Sequence, residues 1–276
     1  VLRQRIKNTI IMHNHKWQAS RFLKASAALH AGAAASALVW PSTISFGIAS
    51  LIANHAVLAG AGLWPKSALL GPNVRRLPGT RAEIALTIDD GPDPYVTPRV
   101  LDILAEKNIK ATFFCIATRL QHHPALVQRM LDEGHHIENH SMRHRHSFSV
   151  MGLGGMKKEI LQAQQAIEET TGRKPQFFRA PAGLRNPFLD PVLHELELQL
   201  VSWTRRGFDT LDRDAQRITM RLAGNAQAGD ILLLHDGNAA GRKNGQPVIL
   251  EVLPQLIDRL TQQNLRFVRV ADGLQP

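Results

Sequence analysis

Ala85-Leu86-Thr87-Ile88-Asp89-Asp90-Gly91-Pro92 runs from an apolar stretch straight into two adjacent carboxylates and a Gly-Pro turn. The apolar part has the length and composition of a buried strand. Asp, Gly and Pro are turn formers, so the ending can be a turn and nothing more. Two like charges side by side at a strand end are nevertheless unfavourable without a counter-cation, which points toward a bound metal. Outward from this strand, short apolar runs recur at 111–116, 177–178, 198–203, 231–234 and 267–270. Helical patterns lie between them, at 97–107, 124–133, 156–170, 187–196, 212–227 and 248–263. This alternation predicts a parallel sheet covered on both faces. In such folds the chemistry sits just past the C-terminal ends of the strands.

The polar clusters occupy that kind of position. His140-Ser141-Met142-Arg143-His144 holds two imidazoles four apart, a spacing that on a helix gives one face and lets both grip one ion. The plainer alternative is a solvated, His-rich loop. His122, His123, His135, His136 and His146 lack such spacing and are assigned no role. Phe178-Arg179-Ala180-Pro181-Ala182-Gly183 follows another apolar run, where an Arg can also be a surface charge. Trp203-Thr204-Arg205-Arg206-Gly207-Phe208-Asp209 ends in an acid that would equally serve as a turn residue or a helix cap. His235 closes a wholly apolar strand from Ile231, as a satisfied core residue or as an acid at the catalytic end. Cys115, the single cysteine, lies in an apolar run and reads as a small buried hydrophobe.

Taken in this order, the clusters resemble the polysaccharide deacetylase family, carbohydrate esterase family four, over residues 82–276. The family's Thr-Phe-Asp-Asp-Gly-Pro stands here with Ile88 for the Phe. Its His-Ser/Thr-x-x-His is intact at 140–144 and its Leu-x-Leu-His at 232–235. The resemblance implies an α/β fold, a distorted (β/α) barrel of about seven parallel strands. It implies a hydrolase of non-peptide carbon–nitrogen bonds that removes the N-acetyl group of an amino sugar, polymeric or lipid-linked. Asp89 would be the general base and His235 the general acid. Arg179 would orient Asp89, and Asp209 would tune His235. Asp90, His140 and His144 would hold a divalent metal, zinc before cobalt or manganese. Pro181, Ala182 and Gly183 would line the substrate site, with Leu232 and Leu234 around the acetyl methyl. Ala182 and Thr210 stand where the family has aromatic residues, which shrinks the sugar platform. An O-acetyl esterase or an N-deformylase on a lipid-linked sugar would use the same groups. The non-enzymatic alternative is a metal- or glycan-binding module, which predicts a missing base or acid; neither is missing.

The first 81 residues lie outside that resemblance. They carry ten Lys and Arg and no acid, whereas the remaining 23 basic residues balance 23 acidic ones, giving the net +10. Basic excess beside an apolar stretch, with a neutral body, argues against nucleic acid and for a membrane surface. Residues 25–64 contain no charged side chain and are interrupted only by Pro41-Ser42-Thr43, which predicts a membrane-embedded helical hairpin. Arg21 and Lys24 before it, and Lys66, Arg75 and Arg76 after it, put both ends and the catalytic body on the cytoplasmic side of the inner membrane. The alternatives are an exported protein with a signal peptide over 1–37 cut near Ala35-Ser36-Ala37, or a helical pair packed on a soluble body. Residues 67–81, with Pro72 and Pro78, read as a linker. The oligomeric state is not written in the sequence.

Overall fold

The computed structural model of the chain describes residues 16–241 and 245–275. Arg3, Arg5 and Lys7, and the opening of the 1–37 signal-peptide alternative, lie outside the described residues. Two helices come first, α1 (Arg21–Val39) and α2 (Ile44–Leu63). The alternation then runs β1 (Glu83–Asp89), α3 (Thr97–Glu106), β2 (Thr112–Cys115), α4 (Ala117–His122), α5 (Pro124–Asp132), β3 (His136–Asn139), α6 (Leu153–Thr171) and β4 (Phe177–Phe178). It continues as α7 (Leu189–Glu195), β5 (Gln199–Leu200), β6 (Arg205–Arg206), α8 (Ala215–Ala223), β7 (Ile231–His235), α9 (Ile249–Gln262), β8 (Arg266–Val268) and α10 (Val270–Gly273).

All strand pairings are parallel, in the order β5-β4-β3-β2-β1-β7-β6, with β8 beside the first half of β1. The two ends of that path, β5 and β6, belong to one extended segment. Its start pairs with β4 and its end with β7, so a single stretch of chain closes the sheet on itself. Counted that way the strands are seven staves of a distorted barrel.

Alternation along each strand divides the core. Ile84, Leu86, Ile88, Phe113, Leu232 and Leu234 face the helices and pack on Leu101, Leu104, Leu253 and Leu256. Ala85, Phe114, Ile231, Leu233 and Trp203 face the barrel interior. The pleat requires this, because successive side chains point to opposite faces. Strand β3 has one apolar residue in four and gives no apolar run in the sequence. It is buried because its polar groups are paired: Glu138 accepts from the Gln176 and Phe177 N–H groups at 2.8 Å, and Asn139 donates to the Ile160 carbonyl at 3.1 Å.

Residues 67–81 run along the body. Val74 pairs with Val201, the Leu77 N–H donates to the Gly229 carbonyl at 2.8 Å, and the Leu77 side chain joins the interior core. The two N-terminal helices pack on each other through a polar seam. Asn54 donates to the Ser26 hydroxyl at 2.8 Å, the rings of His30 and His55 meet edge-on at 5.2 Å, and Ser36 bonds Thr43 at 2.7 Å. Leu38, Val39, Trp40, Phe46, Ile48 and Ile52 are exposed on their outer surface.

Candidate active site

Asp89 ends β1 and His235 ends β7, in direct register across the pair. Both lie on the inward parity of their strands, so the sheet itself brings them to one mouth. Asp90 follows at φ 76°, a left-handed conformation that bends the chain and turns a second consecutive carboxylate toward the same space. Arg179 follows β4 and is buried within the barrel mouth. Its guanidinium donates to Asp89 Oδ1 at 2.6 Å, to Thr87 Oγ1 at 2.8 Å and to the Val201 and Ser202 carbonyls at 3.2 and 3.1 Å. It also lies 4.0 Å over the Phe114 ring. Burial lowers the pKa of this arginine, and the charge of Asp89 works against the shift.

The histidine pair lies on an irregular loop after β3, not on a helix as the four-residue spacing suggested. Ser141 at φ 70° and His144 at φ 48° bend that loop. The His144 N–H donates to Ser141 Oγ at 2.9 Å, and the Ser141 N–H donates to Asn139 Oδ1 at 2.8 Å. His140 Nδ1 bonds the Arg179 carbonyl at 2.8 Å; the ring nitrogen there must carry the proton, which leaves the Nε2 lone pair free. Both Nε2 atoms lie 3.3 Å from Asp90 Oδ1. One ligand atom from each of Asp90, His140 and His144 falls within 4.8 Å of the others. Asp90 Oδ1 is buried without a hydrogen-bond partner, while Oδ2 accepts from Asn238 at 2.8 Å. A buried carboxylate oxygen with no hydrogen-bond partner, facing two imidazole Nε2 atoms, fits a divalent ion.

Burial opposes ionisation of Asp90, yet His140, with His235 and His144, holds its carboxyl well below the usual range. Burial would depress His235, but the bond to Asp209 and the charges of Asp209, Asp89 and Asp90 raise it instead. Asp209 binds His235 twice, accepting from its N–H at 2.7 Å and from Nδ1 at 3.0 Å. That leaves Nε2 as the ring atom free to work in the cleft.

Asp89, Asp90, His140, His144 and His235 line one cleft of about 260 Å³, with Ala182, Gly183 and Trp203 in its walls. Arg179 and Asp209 stand behind it through their bonds to Asp89 and His235. Pro181 is buried in the turn that carries Ala182 and Gly183. Leu232 and Leu234 are not on the cleft. They face the helices, and Leu233 between them faces in, because the inward parity of β7 is that of His235. Sequence reasoning also missed Asn238, Arg206 and His146, the last of which was set aside for lack of spacing and lines the cleft. Asn238 stands three residues after His235, a separation that could have marked it as a partner for the acidic pair.

Known proteins resemble this chain over the body that carries the site. The family model described as polysaccharide deacetylase matches residues 77–201. A peptidoglycan-N-acetylglucosamine deacetylase of Bacillus cereus is 36% identical over 200 residues, which cover 72% of the chain and 91% of the relative. A chitooligosaccharide deacetylase of Bradyrhizobium is 35% identical over 60% of the chain and 75% of its own length. Among solved structures, a peptidoglycan N-acetylglucosamine deacetylase in complex with a naphthyl N-oxidanyl-benzamide superposes with a TM-score of 0.68 at 29% identity, covering 74% of the chain and 92% of that structure.

Proposed function

The chain belongs to the polysaccharide deacetylase family and is a carbohydrate N-deacetylase, and from that premise we propose that it hydrolyses the N-acetyl group of an amino sugar in a glycan or a lipid-linked saccharide. The observation that carries this reading is the Asp90–His140–His144 cluster with Asp89 on one side and His235 on the other. Asp90, His140 and His144 would hold the ion, zinc by their two-nitrogen, one-oxygen donor set, with cobalt or manganese as substitutes. When bound, such an ion polarises an acyl oxygen and acidifies water.

The chain's own groups supply the rest. Asp89 keeps Oδ1 on Arg179, and its Oδ2 lies 3.8 Å from His140 Nε2, beside the metal ligands. Oδ2 is the atom that takes a proton from water as the water oxygen adds to the acyl carbon. Arg179 orients the carboxylate through its bond to Oδ1. The backbone N–H of Ala182 supports the oxygen that gains charge. His235 gives the proton on Nε2 to the amine nitrogen as the carbon–nitrogen bond breaks, and Asp209 holds the Nδ1 proton that keeps the ring in that tautomer. Acetate and a free amino sugar result. Leu233, Trp203 and the 181–183 turn shape the pocket around the acetamido group. The test is acetate release from N-acetylglucosamine oligomers and lipid-linked N-acetylglucosamine by the purified chain, abolished by a chelator and restored by zinc. Release from none of them would end the proposal.

The hairpin of α1 and α2 anchors this body to a membrane. Helices of 19 and 20 residues reach about 28–30 Å, the thickness of the hydrocarbon layer. Their polar side chains pair with one another in the seam, and Trp17 and Trp64 stand at the base with Trp40 at the tip, as interfacial aromatics do. The basic residues at the base favour the cytoplasmic side for the catalytic body.

A further inference from the structure

Arg205 and Arg206 are neighbours with opposite situations. Arg205 caps the end of α8: it donates to the Leu222 carbonyl at 2.6 Å, Arg221 at 2.8 Å and Asn225 at 3.2 Å, and to Gly224 as well. Arg206 lines the cleft. Its guanidinium lies 5.7 Å from the Trp203 ring and 5.0 Å from the Phe208 ring, and its Nε is buried with no hydrogen-bond partner. Among the described residues no carboxylate pairs with it. Phe208 holds φ 60°, a costly conformation for a bulky residue, with its ring toward that guanidinium. A guanidinium held on aromatic faces and lacking a counter-ion is pre-organised for a bidentate oxyanion.

Gly183, in the cleft wall, lies so close to the chain leaving α2 that a Cβ there would stand 2.8 Å from Pro65 and 2.6 Å from Trp203. Gly62, in the last turn of α2, accepts from the Arg185 N–H at 3.1 Å, and a Cβ on it would stand 2.3 Å from the Arg185 carbonyl oxygen. Lys66 also donates to the Thr204 carbonyl at 2.6 Å, two residues before Arg206. The base of the apolar hairpin and the lip of the cleft are therefore one packed unit.

We propose that the substrate is an N-acetylated amino sugar joined through a phosphate to a membrane lipid, with Arg206 as the residue that reads the phosphate. This rests on the deacetylase reading above and narrows its substrate class. A phosphate could come from a lipid-linked or a soluble sugar, and the test separates the two. The full chain in phospholipid vesicles is given three substrates: N-acetylglucosamine joined by diphosphate to a farnesyl chain, N-acetylglucosamine bearing a free anomeric phosphate, and a neutral alkyl N-acetylglucosaminide. Acetate release should favour the diphosphate lipid over the neutral glycoside by about ten- to hundredfold in kcat/KM, the range of a hydrogen bond to a charged group. That ratio should collapse toward one in Arg206→Gln and recover in part in Arg206→Lys. A ratio near one in the parent chain, or one that Arg206→Gln leaves intact, overturns the assignment. Equal turnover of the soluble phosphate overturns lipid attachment. Acetate from the neutral glycoside alone would sink this proposal and spare the deacetylase reading; acetate from none would sink both.

Discussion

Asp89 and Asp90 are adjacent, yet they face different partners: Arg179 for the first, two imidazoles and Asn238 for the second. A regular strand would send them to opposite faces, and the positive φ of Asp90 prevents that. Ser141, His144, Ala182 and Phe208 share this left-handed backbone, all at or beside the cleft. Such strain gathers where side chains must be aimed. Asp89→Asn should keep the metal and lose turnover by about 10²–10⁴-fold, read as acetate release alongside metal content. His140→Ala should lose the metal, and Asn238→Ala should weaken metal affinity by about 10–100-fold, because it orients a ligand oxygen. Unchanged metal content in both would remove the cluster from the argument. As the proposed general acid, His235 must carry its proton. Its raised pKa owes most to Asp209 among its partners, and a dication beside Asp90 would cancel part of the remainder. Asp209→Asn therefore lowers that pKa, and the alkaline limb of the kcat/KM profile should move to lower pH. A shift the other way would contradict the pairing.

At the scale of elements, the pleat of β7 decides which leucine faces the cleft. Leu232 and Leu234 pack under the helices, and truncating either to Ala should cost about 2–5 kcal/mol of stability in chemical denaturation without changing KM. Leu233→Ala should raise KM for the acetylated substrate, since that side chain faces the cleft. A KM effect at 232 with none at 233 would mean the parity is wrong. The family motif names both outer leucines, but only the pleat says which way each points. Strand β3 was invisible for a related reason: its burial depends on hydrogen bonds from Gln176, Phe177 and Asn139, not on apolar side chains. The histidine loop kept its candidate ligands legible and hid its conformation, because four-residue spacing is shared by a helical turn and by a loop with left-handed bends.

For the whole molecule, the hairpin and the barrel should behave as one membrane-bound body. The chain should stay with membranes through high salt and alkaline carbonate and leave only in detergent; release by salt alone would contradict embedding. The sequence by itself determined the strand–helix alternation and the identity of the base, acid and metal-binding candidates. Those are written locally, as apolar runs that end in polar groups. It also marked the uncharged stretch 25–64, since charge is read residue by residue. Only the tertiary structure decided how the barrel closes. The 199–206 segment meets β4 and β7, whose pairing residues lie 22 and 27 positions away along the chain (199 − 177 and 232 − 205). Only it brought Asn238, His146 and Arg206 to the cleft and packed the end of α2 against the cleft wall. Those facts depend on backbone bends and on contacts between distant residues, which no local pattern of side chains encodes.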